Sequence, residues 1–142
     1  MKRLFKFTLL LYIAVNALNF SLGNDEFFQK GIELYKEKNY QDARFMLERS
    51  IVFNPKDSKS YLYLAKIYNL EDDKKKEEKN LEATLLIEPN NEEAILMSMK
   101  IALDKSNYSK VKDLSNTFIE VCKNLCEENK NILETLKNIE PE

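Results

Sequence analysis

Not one of the 142 residues is a histidine. The commonest general base, the usual triad partner and the usual zinc ligand are therefore all missing. Two cysteines without histidine cannot close a structural zinc site. Carboxylates stand side by side at Asp72-Asp73 and Glu127-Glu128, but neither pair belongs to an acid–base arrangement with a reason to be desolvated. The two glycines, Gly23 and Gly31, lie outside any phosphate-cradling pattern. These features argue against an enzyme, and they imply no cofactor and no metal. What remains is thiol chemistry. Cys122 and Cys126 are four residues apart, a spacing that on one helical face sets their α-carbons about 6 Å apart, within disulfide range. Export to an oxidising compartment would allow the bond. The other reading is a pair of buried thiols acting as small apolar residues.

The elements around these residues follow a period. Asn54-Pro55 and Glu88-Pro89 are 34 residues apart, and the residues before each proline match in character. Phe27 pairs with Tyr61, Gly31 with Ala65, Leu34 with Tyr68, Leu47 with Leu81, and Ser50 with Thr84. Such a period marks a stacked-repeat protein, in which each unit needs a neighbour to bury its apolar face. The pattern within the units is helical. Phe27, Phe28, Gly31, Ile32, Leu34 and Tyr35 make one stripe at three- and four-residue spacing. Asn39 is suited to a left-handed turn after it. Further stripes run from Tyr40 to Ile51, Tyr61 to Tyr68, Leu81 to Leu86, Ala94 to Leu103 and Tyr108 to Ile119. The charge run from Asp72 to Lys79 reads as a solvated helix start with paired charges.

The first 23 residues read differently. Lys2, Arg3 and Lys6 precede an apolar run from Phe7 to Val15, and Ser21-Leu22-Gly23 places small residues where a signal peptidase needs them. This is the layout of a secretory signal peptide, with an uncleaved membrane anchor as the alternative. The apolar run is shorter than the roughly 20 residues a bilayer requires. Without this segment the chain holds 19 basic and 24 acidic side chains, a net charge of −5. That balance argues against nucleic acid as a partner.

Residues 24–123 resemble three tetratricopeptide repeats. Gly31, Ala65 and Ala43 match the family's small residues, Tyr40 and Tyr108 the aromatic opening each second helix, and Pro55 and Pro89 the closing proline. Lys74 replaces that aromatic in the second repeat. In the third, Met99 and Val111 take small-residue positions and Lys123 the place of the proline, so its second helix is free to run on. The resemblance implies an all-α fold, a right-handed stack of antiparallel helical hairpins forming an α-solenoid. Residues 124–142 would add a C-terminal capping helix and tail.

The repeat phase puts Phe28, Ile32 and Tyr35, then Leu62, Lys66 and Asn69, then Leu96, Lys100 and Leu103 on the inner face of such a stack. That is an apolar and aromatic floor with two lysines in register, suited to a peptide with apolar anchors and an acidic group. Relatives that hold the carboxylate tail of heat-shock chaperones use a lysine and an asparagine where this chain has Phe28 and Ile32, so that clamp is missing. Finally, Phe118, Cys122, Leu125, Asn129, Ile132, Leu136 and Ile139 step alternately by four and three. One reading is a cap on the last repeat, the other a short coiled-coil seam between two copies. The sequence thus points to an exported protein-binding adaptor or assembly scaffold in the bacterial periplasm or cell envelope. The alternative is a membrane-tethered structural or oligomerising element, possible as a homodimer, that uses its C-terminal helix.

Overall fold

The computed structural model describes residues 26–139. Among them are seven helices and no strand. Helix α1 covers residues 26–36. The others are α2 (Tyr40–Phe53), α3 (Ser58–Leu70), α4 (Lys74–Ile87), α5 (Glu92–Asp104), α6 (Tyr108–Val121) and α7 (Cys126–Ile139). The segment read as a signal peptide lies outside the described residues.

The 34-residue period reappears in the backbone itself. Lys38, Asp72 and Ser106 take left-handed dihedrals, with φ of 62°, 56° and 55°. After each comes a residue that closes one helix and opens the next. The amides of Asn39, Asp73 and Asn107 donate to the carbonyls of Leu34, Tyr68 and Ala102, at 2.9, 2.9 and 2.8 Å. Their side chains then accept from the amides of Asp42, Lys76 and Lys110. The first bond completes a Schellman closure of α1, α3 and α5; the second is the N-cap of α2, α4 and α6. The left-handed residue is accordingly Lys38 rather than Asn39, because the asparagine side chain is needed one position later as a cap.

The second helix of each hairpin buries a triad at the same phase: Ala43, Leu47 and Ser50 on α2; Glu77, Leu81 and Thr84 on α4; Val111, Ser115 and Phe118 on α6. Spacings of four and three keep each triad on one face. In the second repeat a carboxylate occupies the slot filled elsewhere by Ala43 and Val111. Glu77 is 1% exposed, so the charge run is not uniformly solvated as its composition suggests. Its carboxylate is satisfied by Asn69 Nδ2 at 2.8 Å and Lys74 Nζ at 3.4 Å.

The described residues divide at Ser60/Tyr61 into two units. In the first, α1 and α2 meet at Gly31. A methyl group there would lie 2.8 Å from Leu47 Cγ, so only hydrogen fits. Phe27 stacks on Phe53 at 5.2 Å, and the Arg49 guanidinium lies 4.7 Å from the Phe27 ring. Asp57 accepts from Ser50 Oγ and Ser60 Oγ, tying the end of α2 to the start of α3.

Two apolar clusters lie among the described residues of the second unit. One joins Leu62 and Ala65 of α3 to Leu81 of α4 and Ala94 and Ile101 of α5. The other joins Ile95, Leu96, Met99 and Ala102 of α5 to Val111 and Phe118 of α6 and Ile132 and Leu136 of α7. Helix α7 packs on both α5 and α6.

The lost proline at Lys123 does not let α6 run on. Cys122 turns extended, with φ −64° and ψ 139°, and the chain bends before α7. Glu92, at the start of α5, enforces this by accepting from the amides of Asn124 (3.0 Å) and Leu125 (2.9 Å). Cys122 and Cys126 therefore do not share one helical face, and the stripe from Phe118 to Ile139 is broken at this elbow.

Candidate functional site

The residues expected to line a groove fall in both units: Phe28, Ile32 and Tyr35 in the first, the other six in the second. Phe28, Ile32 and Tyr35 are half-buried on α1, and the Tyr35 ring centre lies 5.7 Å from that of Tyr40. They offer an apolar, partly accessible strip, as their shared phase on α1 requires.

In the second unit the assignment is redistributed. Lys66 is not a free cation. Its Nζ lies 2.7 Å from Glu93 Oε2 and 4.5 Å from the centre of the Tyr63 ring. The pair crosses from α3 to α5 and neutralises one of the two lysines proposed to meet an acidic ligand. Asn69 spends its amide on the buried Glu77, which makes it a support of α4. Leu62 and Leu96 are only 7% and 5% exposed and belong to different apolar clusters. Leu103 packs on the cluster that contains Leu96. Of these six, Lys100 and Asn69 are exposed, and the Asn69 amide is already committed to Glu77. Much of the side-chain chemistry expected of these residues is thus consumed within the fold.

Two residues that local pattern did not single out matter here. Glu92 and Glu93 open α5 side by side and point to different tasks, Glu92 holding the elbow and Glu93 pairing with Lys66. The amides donated by Leu125 first, then Asn124, hold the Glu92 carboxyl below the usual carboxylate range. Around it opens a polar cleft of about 460 Å³, with Leu62, Val121 and Leu125 at its apolar side and Glu88, Asn91 and Lys123 among its polar walls. A second cleft of about 340 Å³, more apolar, lies between Leu85 and Leu86 of α4, Ile101 of α5 and Leu114 of α6.

Cys122 and Cys126 are joined by a disulfide, with α-carbons 5.5 Å apart. The bond spans the elbow between α6 and α7. No group of three or more histidine, cysteine or acidic side chains able to hold a metal ion occurs among the described residues.

No protein-family model and no curated protein sequence matches the chain. Solved structures do. The type III secretion chaperone SycD of Yersinia enterocolitica, in complex with a peptide of the translocator YopD, superposes with a TM-score of 0.74 at 14% identity, over 82% of this chain and 94% of that one. The TPR domain of Arabidopsis OM64 gives 0.74 at 16% identity, over 84% and 98%. The chain has the tetratricopeptide-repeat fold. The TPR2B domain of yeast Sti1, in complex with pHsp70, adds a third match at 0.73 and 13% identity, over 82% and 98%. Helices α1–α6 are the three TPR hairpins, and α7 follows them.

Proposed function

We propose that this protein is a non-enzymatic TPR adaptor that binds a segment of another protein. The observation that carries the reading is the fold shared with SycD, which was solved holding a translocator peptide. A TPR fold supplies a peptide-binding face without any catalytic group, which suits a chain that has no histidine. The face of α1 contributes the half-buried Phe28, Ile32 and Tyr35, and α5 contributes the solvent-facing Lys100.

Because Lys66 is neutralised by Glu93, the ligand's acidic group is assigned to Lys100. In the first unit by itself, Phe28 and Ile32 offer contacts for apolar anchors. The reading includes export: the basic, apolar and small-residue layout of residues 1–23 is that of a segment removed on secretion, and a disulfide at Cys122–Cys126 suits an oxidising compartment.

The test is recovery of the partner from the native envelope with tagged chain, wild type against Lys100→Glu and, separately, Phe28→Ala. Either substitution should reduce recovery at least tenfold while far-UV circular dichroism keeps its helical signal. Lys66→Glu is the wrong probe, since it sets a second carboxylate against Glu93. Undiminished recovery with both variants would exclude both positions as partner contacts.

A further inference from the structure

We propose that the outer face of α2 docks an acidic helix of a partner protein, with Arg49 taking a carboxylate and Phe45 and Val52 packing on its apolar side chains. Phe45, Arg49 and Val52 lie on α2 opposite the buried triad Ala43, Leu47 and Ser50. A face turned away from the core has no folding reason to be apolar. Yet Phe45 is 54% and Val52 77% exposed.

The repeats supply a comparison within the chain. One period later the same positions hold Lys79, Ala83 and Leu86, and two periods later Asp113, Thr117 and Glu120. The last three are all exposed, as befits a face that meets only water. The hairpin fold therefore requires neither the aromatic nor the arginine nor the valine. Two large apolar side chains in one stripe around a cation mark an interaction surface.

The charge identifies the occupant. Arg49 is exposed and has no ion pair or side-chain hydrogen bond among the described residues. Its guanidinium lies 4.7 Å from the centre of the Phe27 ring and 5.5 Å from that of Phe45, and Phe27 is itself stacked on Phe53. The rings hold the cation without neutralising it. Its N–H fork is thus already oriented, and a carboxylate matches that fork through two parallel hydrogen bonds. Asp42 and Glu48, exposed on the flanks of the stripe, would repel a uniformly anionic lipid surface. A single carboxylate on a protein avoids them.

The three side chains form a ridge about 10 Å long on one helix. Such a ridge packs into the groove of a second helix, so the ligand is a helix with apolar residues about one turn to either side of an acidic one. This surface is separate from the α1 strip of Phe28, Ile32 and Tyr35, and docking here does not depend on the segment proposed above.

The experiment selects displayed random peptides, long enough for about four helical turns, on the full chain in one mild detergent. Enriched peptides should carry Asp or Glu between apolar residues of one helix face. As labelled synthetic peptides they should lose at least tenfold in affinity, read by fluorescence anisotropy, with Arg49→Gln and with Val52→Asp, and nothing with Lys100→Glu. Arg49→Glu should bind again once the peptide's acidic residue is changed to lysine. Val52→Asp stands at an exposed position and leaves the fold intact, even if the Arg49 variants loosen the rings beneath; far-UV circular dichroism checks both. No enrichment, or enriched peptides that ignore either substitution, would overturn the proposal. So would phosphatidylglycerol vesicles whose binding both substitutions reduce, since the face would then belong to a membrane.

Discussion

At the scale of single residues, three side chains separate the demands of the fold from those of binding. Gly31 is fixed by space alone, with Leu47 Cγ 2.8 Å from where its Cβ would stand. Gly31→Leu should destabilise the protein by about 1–3 kcal/mol through overpacking, measured by urea denaturation; an unchanged midpoint would mean that α1 and α2 do not meet here. Asn69 makes the opposite point. It is exposed, and repeat phase alone gives it to a ligand, yet its amide supports the buried carboxylate of Glu77. Asn69→Ala should therefore lower stability by about 1–3 kcal/mol, where an ordinary exposed substitution changes it by about 0.5 kcal/mol or less. Glu77 itself was hidden in a run of charges, because composition reports polarity but not which of eight neighbouring side chains turns inward.

At the scale of helices, the ends are more regular than the faces. Each first helix closes on a left-handed residue, and none of Lys38, Asp72 and Ser106 is glycine. The left-handed region costs a residue with a Cβ about 1–2 kcal/mol. Lys38 is exposed, so Lys38→Gly should stabilise the protein by roughly 0.5–1 kcal/mol, after the greater unfolded-state freedom of glycine is counted. Thermal denaturation checks this, and a lower Tm would contradict the Schellman closure.

The elbow between α6 and α7 gives a pH dependence. Amide donation from Leu125 and Asn124 lowers the Glu92 carboxyl. A group whose folded pKa is depressed contributes stability that is full above the unfolded value of about 4.3 and is lost as pH falls through the lower folded value. Denaturation midpoints measured from pH 6 downwards should fall less steeply in Glu92→Gln than in the wild type, because the glutamine cannot titrate. Parallel curves would remove Glu92 from the elbow.

At the scale of the whole molecule, the proposals concern where the protein works and what it holds. The export reading makes Asn24 or a near neighbour the mature N-terminus. Amino-terminal sequencing of protein made in its own cell tests it; an intact Met1 in the membrane fraction would favour the anchor instead. No helix among the described residues is long and apolar enough to cross a membrane.

The sequence by itself determined the all-helical hairpins, their 34-residue period, the close approach at Gly31 and the positions of most turns. These are local or periodic properties: capping residues, proline and three–four spacing act over a few residues and repeat with the unit. Tertiary structure decided the rest. The pairing of Lys66 with Glu93 and the grip of Glu92 on Asn124 and Leu125 join residues 27 to 33 positions apart, and no local spacing records which neighbour a long side chain will choose. Likewise the stripe from Phe118 to Ile139 reads as one helix until Glu92 holds the elbow amides of Asn124 and Leu125. Periodicity specifies a helix face, whereas only the packed chain specifies what that face has already spent on its own neighbours and what is left for a partner.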